Sequence, residues 1–427
     1  KRLLSLLLIL CLCAALLPAA VSAEDNVIEL NQTELDRLLG EATPVKPNLD
    51  AYSYKNPLPA GSYRLADDVV LMASIVIEGN VTLDLNGKSI TRDIKYSCGA
   101  FRVIGKDASL TLMDSSEEQS GAIDLFGGGD AFPLGGGVYV DGGSFIMDGG
   151  TIYQSYAVTF GGGVYLTNAA SFTMSGGAIQ ACEAKYHDGG GVYIGDGCTF
   201  IMEDGAIDSC KSSSGSAGGV YAAGTFIMSG GEIRSCHTED GTPADGGGVY
   251  VASSGMFEMS GGSIEGCCAW INGGGVYVNT NGTFTMTGGT IKNNVVNKNW
   301  GGEGAGVYVE NGAAATLIPE NITGNKKTDG TADDIAGPGG YTVYEPDTEI
   351  PDYPLISILP ALAKDLPFTD VTSTDWFYND VKYAYENGLM TGTSGTAFSP
   401  GAPVTRGMVM TILARREGIR TDRYTPW

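Results

Sequence analysis

The chain has 427 residues, with 49 acidic side chains against 25 basic ones and a formal charge of −24. That charge would repel nucleic-acid phosphates and argues against a nucleic-acid partner. It is compatible with scattered Ca²⁺. However, no nonapeptide Asp repeat or Ca²⁺-loop pattern is present, no C-x-x-C pair exists, and His187 and His237 are the only histidines, so no metal or cofactor is expected.

The chain opens with Lys1-Arg2, an apolar run over about residues 3–20, and the small residues of Val21-Ser22-Ala23. This reads as a secretory signal over residues 1–23. Cys11 and Cys13 lie in the apolar run without the small residues that a lipid-anchor site places before its Cys. No second stretch is long enough to span a membrane. Residues 24–60 form an N-terminal segment and cap. In it Leu35, Leu38 and Leu39 share one helical face after Thr33, a candidate helix cap.

Residues 61–325 alternate apolar and polar positions, irregularly at first. Ile75-Val76-Ile77, Val81-Thr82-Leu83, Phe101-Arg102-Val103-Ile104 and Leu110-Thr111-Leu112 suggest about three such turns. A phrase then recurs, first as Gly135-Gly136-Gly137-Val138-Tyr139-Val140. Its Tyr returns at Tyr165, Tyr193, Tyr221, Tyr250, Tyr277 and Tyr308, spaced 26, 28, 28, 29, 27 and 31 residues apart. A fixed period in this range marks stacked units that bury their apolar faces only against neighbours.

Each unit shows three short apolar runs. After Val-Tyr-Val comes Phe145-Ile146-Met147 and its copies, then a single Ile at 152, 179, 207, 233, 264 and 291. Side chains alternate on a strand, so the valines, Phe, Met and Ile point inward and Tyr points outward. Gly149-Gly150 and its equivalents allow corners with positive φ. Three strands per turn predict an all-β parallel β-helix solenoid. At a strand spacing of ~4.8 Å, about ten turns make a rod roughly 50 Å long.

Seven cysteines remain beyond the signal: Cys98, Cys182, Cys198, Cys210, Cys236, Cys267 and Cys268. Four of them, Cys182, Cys210, Cys236 and Cys267, fall three residues after the Ile, a slot that Asn294 fills in the next unit. Two readings stay open. They are small buried thiols in an inward ladder, or pairs bridged between neighbouring turns.

After Asn325 the repeat is expected to stop, and residues 326–366, rich in Pro, Gly and Asp, read as a linker. Helical periodicity follows. Asp375 is placed to cap a helix carrying Phe377, Val381, Ala384 and Tyr385, and Thr405 to cap one carrying Met408, Val409, Ile412 and Leu413.

Here the residues carry a resemblance. Phe368-Thr369-Asp370-Val371, Trp376, Asn387-Gly388-Leu389-Met390-Thr391-Gly392, Phe398-Ser399-Pro400 and Val404-Thr405-Arg406 resemble one S-layer homology (SLH) module, a small α-helical unit over residues 367–420. The resemblance implies noncovalent attachment to a secondary cell-wall polysaccharide, often pyruvylated, with Asp370, Trp376, Gly392 and Arg406 at the family's ligand-groove positions. An arginine at a helix N-terminus can pair with a carboxylate, and tryptophan offers a flat face to a sugar. Equally, Arg406 can serve an internal salt bridge and Trp376 a core.

Two features depart from the family pattern. Thr405-Arg406-Gly407-Met408 lacks the usual capping box. Only one module is complete, and Trp427, 51 residues after Trp376, suggests that residues 421–427 begin a second. The rod in turn resembles the right-handed β-helix repeats of secreted bacterial surface proteins and, more distantly, of polysaccharide lyases and glycoside hydrolases.

These features imply a wall-anchored, secreted cell-surface protein whose rod serves as an adhesin-like binding or spacer surface. The outward tyrosines are either an aromatic strip for a glycan or for a host or neighbouring surface protein, or, as the plainer reading, a self-stacking ladder that stiffens the sheet. Variable segments at 183–188, 211–216 and 237–245 would carry specificity. A polysaccharide-cleaving reading rests on Asp188 and Asp245, two turns and so ~10 Å apart, with His187 beside the first. Turn capping is the plainer role for both aspartates, and no catalytic residue is assigned.

Overall fold

One regular turn shows how the sequence builds the column. Val192–Ile194 forms a strand, Thr199–Met202 the next, Ala206–Asp208 a third and Lys211–Ser212 a fourth. Each pairs in parallel, residue for residue, with its copy in the following turn. In the computed structural model, residues 27–46, 49–93, 99–126, 135–239, 244–344, 368–371, 381 and 398 are described. The chain divides into two units, Lys1–Pro346 and Asp347–Trp427.

The first unit is the parallel solenoid that the repeat predicts. Among the described residues its strands form a 20-stranded sheet from the Phe and Ile strands, a 10-stranded sheet from the Val-Tyr-Val strands, and a 7-stranded sheet. The last of these corrects the three-strand reading. It consists of two-residue strands such as Tyr156–Ala157 and Cys268–Ala269, too short to leave any periodicity in the sequence.

What creates this fourth strand is a left-handed residue after each Ile strand. Gln154, Ala181, Ser209, Ser235 and Asn293 have φ between 48° and 57°, and Gly266 and Gly324 hold the equivalent place. Five of these seven are not glycine, so composition gave no sign of the bend. From Ala181 onward the residue that follows makes an inward hydrogen bond that offsets the cost of the left-handed conformation.

The core is one continuous column. Phe145, Phe172, Phe200, Phe226, Phe257 and Phe284 are fully buried, with ring centroids 4.5–4.9 Å apart and planes within 15° of parallel. The strand repeat of ~4.8 Å sets that spacing. Close packing also explains the Gly-Gly runs. A Cβ on Gly218 would meet the backbone of His237 and Gly247 in the next turn.

At the upstream end a helix packs on the core. Helix α1, Gln32–Leu39, buries Leu35 and Leu39 in the same core as the strands. Its cap is Asn31 rather than Thr33: the Asn31 side chain accepts the Glu34 backbone N–H at 3.0 Å. The preceding strand, Ile28–Leu30, pairs with Gly61–Leu65. The irregular turns are tied by two buried carboxylates. Asp84 accepts from Asn86, Ser115 and the Arg64 guanidinium, and Asp114 from Gly87, Ser116 and Gly121. Burial pushes both carboxyls up, but these hydrogen bonds outweigh it and hold them below the usual range.

The column runs on past Asn325, where a linker was expected. Lys326–Lys327, Ile335–Ala336 and Thr342–Val343 each add one strand to a different sheet. The reason is Asn325 itself. Its side chain donates to the Ile291 carbonyl at 3.1 Å and to Asp334 at 2.8 Å, carrying the corner ladder one turn further despite the Pro and Gly content beyond it.

In the second unit Phe368, Val371 and Val381 are buried with Phe398 packed against them. The Phe368 and Phe398 rings lie 5.3 Å apart. The helices placed at Asp375 and Thr405, apart from Val381, lie outside the described residues.

Candidate functional site

The Val-Tyr-Val strands carry the longest uniform outward feature. Tyr139, Tyr165, Tyr193, Tyr221, Tyr250, Tyr277 and Tyr308 pair in unbroken register. Six are half-buried, and Tyr277 is 6% exposed. From Tyr193 onward the rings stack with centroids 4.9–5.3 Å apart and planes within 15°. At the upstream end the order loosens. Tyr139 and Tyr165 are tilted by 36°, Tyr165 and Tyr193 by 66°. Phe160 packs there against Tyr193 and His187 at 4.6 and 4.8 Å.

Stacking decides what this face offers. Each ring from Tyr221 to Tyr277 has its two faces covered by neighbouring rings, so it turns edges and hydroxyls outward. Carboxylates border the row on both sides. Before the strands of Tyr193 and Tyr250 lie Asp188 and Asp245. After the strands lie Asp141, 3.5 Å from the Tyr139 hydroxyl, and Glu310, which accepts the Tyr277 hydroxyl at 3.1 Å. Burial first, and then these carboxylates, push the phenols up. Tyr139 and Tyr250 reach about 12, and Tyr193, Tyr221 and Tyr277 go higher. Arg102, 5.7 Å from the Tyr139 ring centre, is the cation at the upstream end.

Asp188 and Asp245 do not face each other across a cleft. Each spends a carboxylate oxygen on the following turn, Asp188 accepting the Ser216 N–H at 2.7 Å and Asp245 the Asn272 N–H at 2.9 Å. Burial pushes both carboxyls up. The segments read as specificity loops begin as strands, Glu183–Ala184, Lys211–Ser212 and His237–Thr238, so only the residues after them are free to vary. Sequence reading missed two features nearby. One is Phe160, which occupies the Asp188 position one turn earlier. The other is the pair Trp270 and Trp300, with rings 5.9 Å apart and Trp300 exposed.

The inward corner slot holds free thiols. Cys182, Cys210, Cys236 and Cys267 are fully buried and unbridged. Each S–H donates to the Ile carbonyl of the preceding turn at 3.4–3.7 Å. Asn294 and Asn325 donate to the same kind of carbonyl at 3.1 Å. From Cys182 onward the slot therefore holds a small inward donor, four Cys followed by two Asn. Burial and the neighbouring sulfurs push the Cys210 and Cys267 thiols up, the inert condition for a thiol. Among the described residues no group of three or more His, Cys, Asp or Glu is arranged to hold a metal ion.

Of the four wall-polymer candidates, Asp370 is described. Its carboxylate accepts the Phe398 backbone N–H at 2.8 Å, joining two segments 28 residues apart. Trp376, Gly392 and Arg406 lie outside the described residues.

Comparison with known proteins bears on both units. Residues 162–345 match the right-handed β-helix region family and residues 367–407 the S-layer homology domain family. An endoglucanase of Bacillus sp. (strain KSM-635) is 43% identical over 56 residues, covering 13% of this chain and 6% of that protein. The chain thus spans a small fraction of the length of the curated relative it matches. No solved structure matches it significantly. Among the described residues no helix is long and apolar enough to cross a membrane, and the S-layer homology domain marks association with the cell surface. The chain carries a right-handed β-helix region followed by an S-layer homology domain.

Proposed function

We propose that this is an exported protein held noncovalently to secondary cell-wall polysaccharide through Asp370, Trp376, Gly392 and Arg406, and that its rod displays an adhesin-like binding face. The observation that supports display is the in-register tyrosine row, which gives one side of the column a single repeated chemistry over seven rungs. A bare spacer would gain stiffness from the stacked rings, so binding of a ligand is what separates the two readings.

Two measurements test the reading. The full chain should co-sediment with purified cell walls, lose that on removal of the secondary polysaccharide, and weaken at least several-fold with Arg406→Ala. Saturable binding of a soluble glycan by the rod should fall on Tyr221→Ala with Tyr250→Ala. Wall binding without any rod ligand would reduce the protein to a spacer. Polysaccharide cleavage, the other reading of this architecture, has less support. The two carboxylates that could serve it are two rungs apart and each already fixes a turn. Release of reducing ends from pectin-like glycans, abolished by Asp188→Ala, would restore it.

A further inference from the structure

The tyrosine face has a sign as well as a shape. The charged groups that act on the phenols of Tyr193, Tyr221, Tyr250, Tyr277 and Tyr308 are all carboxylates: Asp188, Asp196, Asp245, Glu303 and Glu310. They lie before and after the strands, so hydroxyls and carboxylates share this face, with Glu310 in direct contact with the Tyr277 hydroxyl. Asp188 and Asp245 are held in place by the Ser216 and Asn272 N–H groups, which occupy one oxygen of each carboxylate.

Neutral sugars bind aromatic residues mainly through ring faces, and in this row the faces are taken by the neighbouring tyrosines. What remains outward accepts hydrogen bonds and attracts cations. Charge complementarity thus selects an amine-bearing ligand over a neutral or acidic one. Uniformity narrows the choice again. The tyrosine recurs on every rung and an acid five residues before it on alternate ones, Asp188, Asp245 and Glu303, a two-rung period that a repeating polymer can match and an irregular peptide sequence cannot.

Resting on the binding reading above, we propose that the tyrosine face takes a linear polysaccharide of free amino sugars, laid along the rod with its ammonium groups against Asp188, Asp245 and Glu310. Multiple weak contacts along one chain then add by effective concentration. Salt weakens attraction even to half-buried carboxylates, though less than between exposed ones, so the affinity falls as ionic strength rises.

The test uses the full chain and four probes measured by calorimetry: a β-linked glucosamine oligomer, its fully N-acetylated counterpart, polygalacturonate, and polylysine of matched charge. The glucosamine oligomer should bind at least tenfold more tightly than the N-acetylated one, and polygalacturonate should not bind. Asp188→Asn with Asp245→Asn should weaken it at least fivefold while leaving the fold intact, since Asn still accepts the same N–H groups. Asp204→Asn with Glu258→Gln, on other faces, should change it less than twofold. Equal affinity for the acetylated oligomer, an equal loss in the control pair, or tighter binding of polylysine would each overturn the assignment. Tyrosine-dependent binding of the acetylated oligomer alone would overturn it yet keep the binding face. No binding of any probe, or of any other soluble glycan, would remove both.

Discussion

Two aromatic columns run the length of the regular turns on the same backbone repeat, and they are used differently. The phenylalanines are sealed and parallel from the first rung to the last. The tyrosines, all but Tyr277 half-buried, share that register yet stack with parallel rings only from Tyr193 onward. Spacing is common to both, so spacing alone does not impose order. Inside, every neighbour is fixed and a ring has one place to go. Outside, the ring is held on one side only, and a single intruder such as Phe160 is enough to tilt it.

The contrast can be broken first with alkali. Phenols held above their ordinary 10, to about 12 for Tyr250, keep their protons in the fold after the unfolded chain has lost its own. Their stabilisation is fully present below pH 10 and is lost as pH rises towards 12. The rod should unfold cooperatively in that window, with phenolate ultraviolet absorbance appearing together with loss of β circular dichroism. The phenylalanine column contributes nothing to this transition. Gradual titration of the phenols before any unfolding would show that the outer row is solvent-like.

The inner column is sharpened by Phe226→Ala, which should cost about 3–5 kcal/mol in denaturant unfolding. Amide exchange should rise first in the two turns beside it, because each turn touches only its neighbours. The outer counterpart, Tyr221→Ala, should cost roughly 1–2 kcal/mol, from lost stacking and half the burial. A cost equal to that of Phe226→Ala would erase the distinction. Least of all, Tyr250→Phe should change stability at neutral pH by less than about 0.5 kcal/mol while raising the alkaline midpoint.

The same contrast explains what could be read from the sequence. Val, Phe, Met and Ile at fixed offsets gave the column, its inward faces and the outward tyrosines, because burial on a strand leaves a period of two. The corner slot was legible because, from Ile179 onward, Cys or Asn recurs three residues after the Ile. The two-residue strand was not, since its turn depends on left-handed Gln154, Ala181, Ser209, Ser235 and Asn293, residues of no common type. The end of the column was misplaced for a related reason. Ile335–Ala336 and Thr342–Val343 pair through the backbone with little apolar pattern. The acid margins escaped notice because Asp141, Asp196 and Glu310 sit two or three residues after the tyrosines in three separate units, without a shared motif.

Because strands lie across the rod, the backbone hydrogen bonds between turns point along it. A pull between its ends therefore strains those bonds head-on, a few at a time, where a sheet pulled along its strands would resist in shear. Rungs should come away singly from an end. Each surrenders ~4.8 Å of height and releases a unit of about 28 residues, roughly 90–100 Å of slack at full extension. A surface protein made this way yields to drag by lengthening many times over before its last turn opens, and rewinds from the turns still standing.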